Sequence, residues 1–220
     1  LITLRHLVTK PDDLPDLPAV QEFKEAVGQS IPEARVAALC FDKLDVEKGV
    51  EVVAPDGKKR ELCHPWSVLA YQLAGDKGLQ ILHAKDKAEE RETAPAENLL
   101  TKLIELPTQE GLGVLILIDE VLMYCRERAS VDRTWRDRMV NFFQYLTQAA
   151  TKVDRCCIVA SVLASDVQRT DGAWVNWQQE LYDIFHRQRE AVVEPVGKED
   201  VAEVLRAAQT YRTMVASGNF

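Results

Sequence analysis

The sequence predicts an α/β fold, a mostly parallel sheet with helices on both faces, and three observations support that class. Short apolar runs, "ARVAALCFD" (34–42), "GVLILID" (113–119) and "RCCIVASVLASD" (155–166), lie far enough apart to leave room for crossover helices. The stretches between them carry apolar residues at three- and four-residue steps, the helical period, rather than strict alternation. The run Val114 to Ile118 is apolar at every position, as in a parallel strand buried on both faces. Such alternation of strand and helix predicts a sheet covered on both sides.

In chain order, "LITLRHLV" (1–8) has helical apolar spacing, and "KPDDLPDLP" (10–18) reads as an exposed connection. The run 34–42 is the first strand. "VEVVAPDGKKREL" (50–62) places a Pro-Asp-Gly turn between two extended halves, which predicts a hairpin turning at Asp56-Gly57. From His64 the pattern becomes helical: Pro65 suits a first turn, Trp66, Leu69 and Leu73 share a face, and Gly75 can end the helix. The charged run "AKDKAEERE" (84–92) reads as a solvated segment. "PAENLLTKLIEL" (95–106) is a helix that delivers the chain to the strand at 113–119.

Next comes an Arg-rich segment with Arg126, Arg128, Arg133, Arg136 and Arg138, interleaved with Glu127, Asp132 and Asp137. It reads as a solvated, partly salt-bridged helix start, with contact to DNA or a partner subunit as the alternative. Trp135, Met139, Phe142, Phe143, Leu146 and Ala150 then mark a long amphipathic helix. The strand from Arg155 turns polar at Ser161, a helix carries Trp174, Trp177, Leu181, Ile184 and Phe185, "REAVVEPV" (189–196) is a last strand, and "KEDVAEVLRAAQTYRTMVA" (198–216) a closing helix. The four tryptophans fall on helical apolar faces and read as core rather than as base-stacking platforms.

Composition bounds the chemistry. At 220 residues with 46% hydrophobic content, the chain suffices for one sizeable core. A net charge of −8 weighs against an extended nucleic-acid footprint, which draws on Lys and Arg to displace counterions. Five cysteines, two of them adjacent, suggest no disulfide framework, and no signal peptide or membrane-length apolar run is present, so a cytoplasmic setting is expected. Cys63-His64 lacks the second ligand pair a zinc site needs.

The chemistry concentrates at Asp119-Glu120. Ligands of parallel sheets bind outside the carboxyl ends of the strands. There Asp119 would hold the Mg²⁺ of a nucleoside triphosphate through water, and Glu120 would orient the attacking water, a Walker B pattern. The alternative is a plain strand-to-helix junction in which the acids cap the following helix. The partner motif GxxxxGK[ST] does not occur: Gly57-Lys58 and Gly197-Lys198 have neither the upstream Gly nor the following Ser or Thr. Because a phosphate loop directly precedes a helix and this chain opens with one, a fragment starting just after the loop is expected rather than an inactive domain.

The series "LITLRHLV", "HPWSVLAYQLAG", "GVLILIDEVLMY", "FFQYLTQAA" and "IVASVLASD" resembles the large predicted prokaryotic AAA+ ATPases first catalogued as a domain of unknown function. These P-loop proteins occur beside DNA methyltransferases and in BREX-type phage-exclusion loci. The similarity runs from Leu1 to about Val196, with "LILIDE" its one motif of known mechanism. It implies a partial nucleotide-binding core over residues 1–196, truncated before its first helix, and the start of a helical lid over 197–220. It implies an ATPase with ATP and Mg²⁺ as cofactors, Asp119 as the metal-associated acid and Glu120 as the catalytic glutamate.

By the same resemblance Ser161 sits where a sensor would report on the γ-phosphate, and Arg187 and Arg189 where an arginine finger would reach a neighbouring subunit. A strand-end hydroxyl and helix-dipole compensation are the respective alternatives. The implied partners are further copies or other subunits of a defence complex, with DNA contact open and no membrane. A slow nucleotide switch or a non-catalytic interaction module is the rival class.

Overall fold

The computed structural model describes residues 5, 8–9, 18–27, 33–83, 90–132, 134–161 and 172–187. The chain divides into two units, Leu1–Gln188 and Arg189–Phe220. The second unit, with the expected strand at 189–196 and the closing helix, lies outside the described residues, as does most of the expected opening helix. Arg5, Val8 and Thr9 are helical, and the Thr9 hydroxyl donates to Arg5 O at 2.8 Å.

The first unit is mixed α/β. Its main sheet has three parallel strands, β1 (Ala34–Cys40), β4 (Gly113–Asp119) and β5 (Cys156–Ala160), in the order β1-β4-β5. A separate antiparallel hairpin, β2 (Val50–Val53) and β3 (Lys59–Leu62), is inserted after β1 and turns through Gly57 at φ +82°, as the Pro-Asp-Gly sequence predicts. The helices are α1 (Pro18–Val27), α2 (Pro65–Leu82), α3 (Glu97–Gln109), α4 (Val121–Val131), α5 (Trp135–Lys152) and α6 (Gly172–Arg187). Among the described residues no helix is long and apolar enough to cross a membrane.

Register makes β4 the spine. Ala37, Ile116 and Ile158 align across the three strands, as do Leu39, Ile118 and Ala160. Ala37, Leu39, Val114, Ile116 and Ile118 join one core with Trp66, Leu69 and Leu73 of α2, Leu100, Leu103 and Ile104 of α3, and Met139, Phe142, Phe143 and Leu146 of α5. Leu115 and Leu117, pointing to the other face, are buried too, which is why the run is apolar at every position. On the outer edge of β1 the Gln72 amide takes the place of a neighbouring strand: it accepts the Ala38 N–H at 2.5 Å and donates to Ala38 O at 3.1 Å.

The expected stop at Gly75 is present as a kink: Ala74 (φ −147°, ψ 15°) and Gly75 (φ +56°, ψ −139°) leave helical geometry and end a first segment of α2, and a second segment runs on to Leu82. The two halves approach so closely that a Cβ at Gly78 would lie 2.2 Å from Ala70 O. A helix, α1, forms from Pro18 at the end of the expected exposed connection, and a separate helix, α4, covers residues read only as an Arg-rich lead-in. Asp132 makes the break after α4, accepting both the backbone N–H and the hydroxyl of Thr134 at 2.9 and 2.7 Å.

The end of the charged run is also not simply solvated. The Glu90 carboxylate accepts the N–H groups of Cys63 at 2.6 Å and His64 at 3.0 Å, just ahead of α2, and Arg91 O accepts the Trp66 indole N–H at 2.6 Å. An acid from a remote segment thus satisfies amides at a positive helix start whose own N-cap residue, His64, makes no side-chain bond. Residues 84–89 lie outside the described residues.

Trp66 and Trp135 are fully buried, with ring centroids 5.5 Å apart, and His64 stacks on both at 5.2 and 5.6 Å. Trp174 and Trp177 have side chains outside the described residues. Burial holds the His64 pKa below its ordinary value; Glu90 and Glu92 act against this, and Arg128 and Arg138 reinforce it. A histidine kept neutral by folding contributes stability above the unfolded pKa of about 6.5, and that contribution falls away as pH drops through the depressed folded value. Urea midpoints are therefore expected to fall on acidification below about pH 6.5, and His64→Phe should flatten that part of the profile. An unchanged slope in the variant would assign the acid sensitivity to other groups.

The turn before the hairpin is equally constrained. Asp45 and Gly49 exchange backbone hydrogen bonds at 3.3 and 3.0 Å, and Asp45 Oδ1 accepts the N–H groups of Glu47 and Lys48 at 2.9 and 2.7 Å. Gly49 has φ +78°, and a Cβ there would sit 2.2 Å from Leu62 O. Gly49→Ala is expected to destabilise by at least about 1–3 kcal/mol, since both backbone conformation and space oppose it. Chemical denaturation checks this, with the open Gly57, which meets nothing within 4 Å, as the control site.

Candidate functional site at the carboxyl edge of the sheet

Parallel register gathers three residues in a row. Asp119 ends β4 directly beside Cys40 of β1. On its other side, Ser161 extends the ladder one step past the Ile118–Ala160 pair, its N–H donating to Ile118 O at 2.8 Å. Two-residue periodicity points all three side chains to the same face of the sheet. Asp119, Glu120 and Ser161 are half-buried, and Cys40 is exposed.

Glu120 leaves the strand through a left-handed backbone, φ 57°, ψ 33°. For a residue with a side chain this conformation carries a cost of about 1–3 kcal/mol and persists only where the surroundings enforce it. Arg155, in the turn before β5, also has a positive φ of 62°, so the conformation alone does not mark a site. What sets Glu120 apart is its carboxylate. It occupies the N-cap position of α4 yet makes no capping hydrogen bond to that helix, so the junction does not use the acid in the way a structural cap would.

The edge also holds groups that sequence reasoning did not single out. The Cys40 thiol is pushed up by partial desolvation, then by the carboxylates of Asp42 and Asp119, while Arg5 and Lys43 pull it down. Asp42, Asp119 and Arg5 are therefore all within electrostatic reach of Cys40. Only the pairing of β1 with β4, a long-range fact, reveals this neighbourhood.

Asp119 and Glu120 are hard oxygen donors, suited to a magnesium-type cation that keeps several waters and leans on one or two carboxylates. Among the described residues no group of three His, Cys, Asp or Glu side chains is arranged to hold a metal ion by itself. A cation at this edge would accordingly need a ligand's oxygens or water to complete its shell.

The other sequence-derived candidates lie apart. Arg187 is exposed in the last turn of α6, on the rim of a groove of about 250 Å³ shared with Val140 and Gln144 from the middle of α5 and Gln179, Glu180 and Asp183 of α6. The structure does not bring it together with Asp119 and Glu120. Arg189 lies outside the described residues. Of the Arg-rich segment, Arg136 pairs with Glu180 at 2.9 Å and Arg138 with Asp132 at 3.4 Å, as a solvated, salt-bridged face should. Arg128 departs from that expectation: it turns inward, its guanidinium 4.6 Å from the Trp135 ring centroid.

No curated protein and no solved structure matches the chain. A family model described as the DUF499 N-terminal domain matches residues 1–200, which spans the sheet, its helices and the whole carboxyl edge, and the chain therefore belongs to that family.

Proposed function

We propose that this domain is part of the nucleotide-hydrolysing core of a P-loop ATPase of the AAA+ type. The observation that carries the reading is Glu120: a carboxylate at the end of the central strand, held in a left-handed turn and unused as a cap, next to Asp119. Ser161 in the adjacent strand end supports it.

In this reading bound Mg²⁺ would neutralise charge on the β- and γ-phosphates. Asp119 would hold the ion through its water shell, Glu120 would orient the attacking water and take up its proton, and the Ser161 hydroxyl would donate to a phosphate oxygen. Arg187 and Arg189 would act from a neighbouring copy, where a guanidinium stabilises transition-state charge. No GxxxxGK[ST] occurs in the sequence, so hydrolysis would need phosphate-binding groups that this motif does not supply here. A role in DNA-linked phage defence rests on the sequence resemblance alone.

The test is Mg²⁺-dependent ATP turnover by the intact protein, with and without duplex DNA. Turnover abolished by chelation supports the reading. Tight nucleotide binding without turnover would replace it with a slow switch, and absence of binding with an interaction module.

A further inference from the structure

We infer that Arg128 is a positioning residue, a latch that fixes α4 and through it the turn presenting Glu120. The inference rests on the proposed function and adds a residue that does not touch the nucleotide.

Among the described side chains, the inward face of α4 carries Val121, Tyr124, Cys125 and Arg128, spaced as i, i+3, i+4 and i+7. The first three are buried. At the fourth position, where an apolar side chain would complete the stripe, stands an arginine. Its Nη1 donates to Val46 O, its guanidinium lies over Trp135, and its Nε is buried with no hydrogen-bond partner. An unpartnered buried donor on a half-buried side chain is costly, and a leucine or methionine of similar reach would avoid that cost. Packing alone therefore does not account for Arg128.

Its two anchors are rigid. Val46 is buried in the Asp45–Gly49 turn, cross-tied by the Asp45 carboxylate and pressed at Gly49 against the end of β3. Trp135 is fully buried at the start of α5. The opposite end of α4 begins at Glu120 in its left-handed turn with no side-chain cap, so the helix start is held by its docked face rather than by a capping bond. Its position depends on the docked face: Tyr124 packing on Phe41 at 5.3 Å, and Arg128 one turn further on. Release of Arg128 would let α4 rock and carry the Glu120 carboxylate away from its water.

The experiment compares wild type, Arg128→Gln and Arg128→Lys in the intact protein by amide hydrogen exchange over residues 121–131 and by steady-state ATP turnover. Arg128→Gln should speed exchange in α4 and lower kcat by about 10- to 100-fold, the penalty for misplacing a catalytic group by a fraction of an ångström to an ångström, with KM for Mg-ATP unchanged. Arg128→Lys, which keeps a cation on the ring and one donor, should recover part of both.

Unchanged exchange in Arg128→Gln would overturn the latch whatever the activity. Faster exchange with kcat unchanged would overturn the positioning role. If wild type and Glu120→Gln turn over ATP alike, the ATPase reading fails and the positioning role falls with it, while the exchange data still decide whether Arg128 holds α4.

Discussion

Replacing Glu120 by glutamine is expected to lower ATP turnover by the intact protein by about 10²–10⁴-fold, the usual contribution of a general base, while Mg-ATP binding persists. The amide keeps the size of the side chain and removes only its capacity to take a proton. Glu120 makes no capping bond that the substitution could break, so the variant should unfold at the wild-type temperature. A merely structural junction predicts the reverse: little effect on turnover. Equal turnover in the two proteins would remove Glu120 from the chemistry.

The second large effect concerns the core that positions the site. Trp66→Ala should destabilise by about 3–5 kcal/mol, the range for deleting a large aromatic side chain from a packed interior. Trp66 is fully buried, contacts Trp135, Phe142 and His64 at centroid distances of 5.5, 5.7 and 5.2 Å, and donates its indole N–H to Arg91 O. Trp66→Phe should cost less, retaining most of the packing and leaving the Arg91 carbonyl without its donor. A urea series on both variants separates the two contributions, and a loss under about 1 kcal/mol for the alanine would show that the cluster collapses to fill the space.

What the sequence makes legible is what local periodicity encodes. The run Val114 to Ile118 announces a strand buried on both faces because β4 is the central strand. The steps of Trp135, Met139, Phe142, Phe143 and Leu146 announce α5 because one side of it meets the core. Asp119, Glu120 and Ser161 follow from the position of polar residues at strand ends, and register then aligns Asp119 with Ser161.

The rest depends on contacts remote in sequence. The apolar stripe of α4 is interrupted by Arg128, so no clean helical period is visible, and its docking depends on Val46, 82 residues away. Gly75 acts as the helix stop that local rules suggest, but a second helical segment begins directly after it, packed through the buried Leu79 and Leu82 and the close approach at Gly78, which no local rule foretells. Glu90 looks solvated within its charged run, yet its partners are amides 26 and 27 residues earlier. Arg187 sits in the last turn of α6 on the rim of a groove, a placement that helical periodicity does not foretell.

The central claim, that Asp119-Glu120 is a hydrolytic site, is tested most directly by loading the intact Glu120→Gln protein with Mg-ATP, separating free nucleotide, and identifying what remains bound. The account predicts that the variant retains unhydrolysed ATP while wild type retains or releases ADP. Finding ADP on the variant at the wild-type rate, or no nucleotide on either protein, would contradict it.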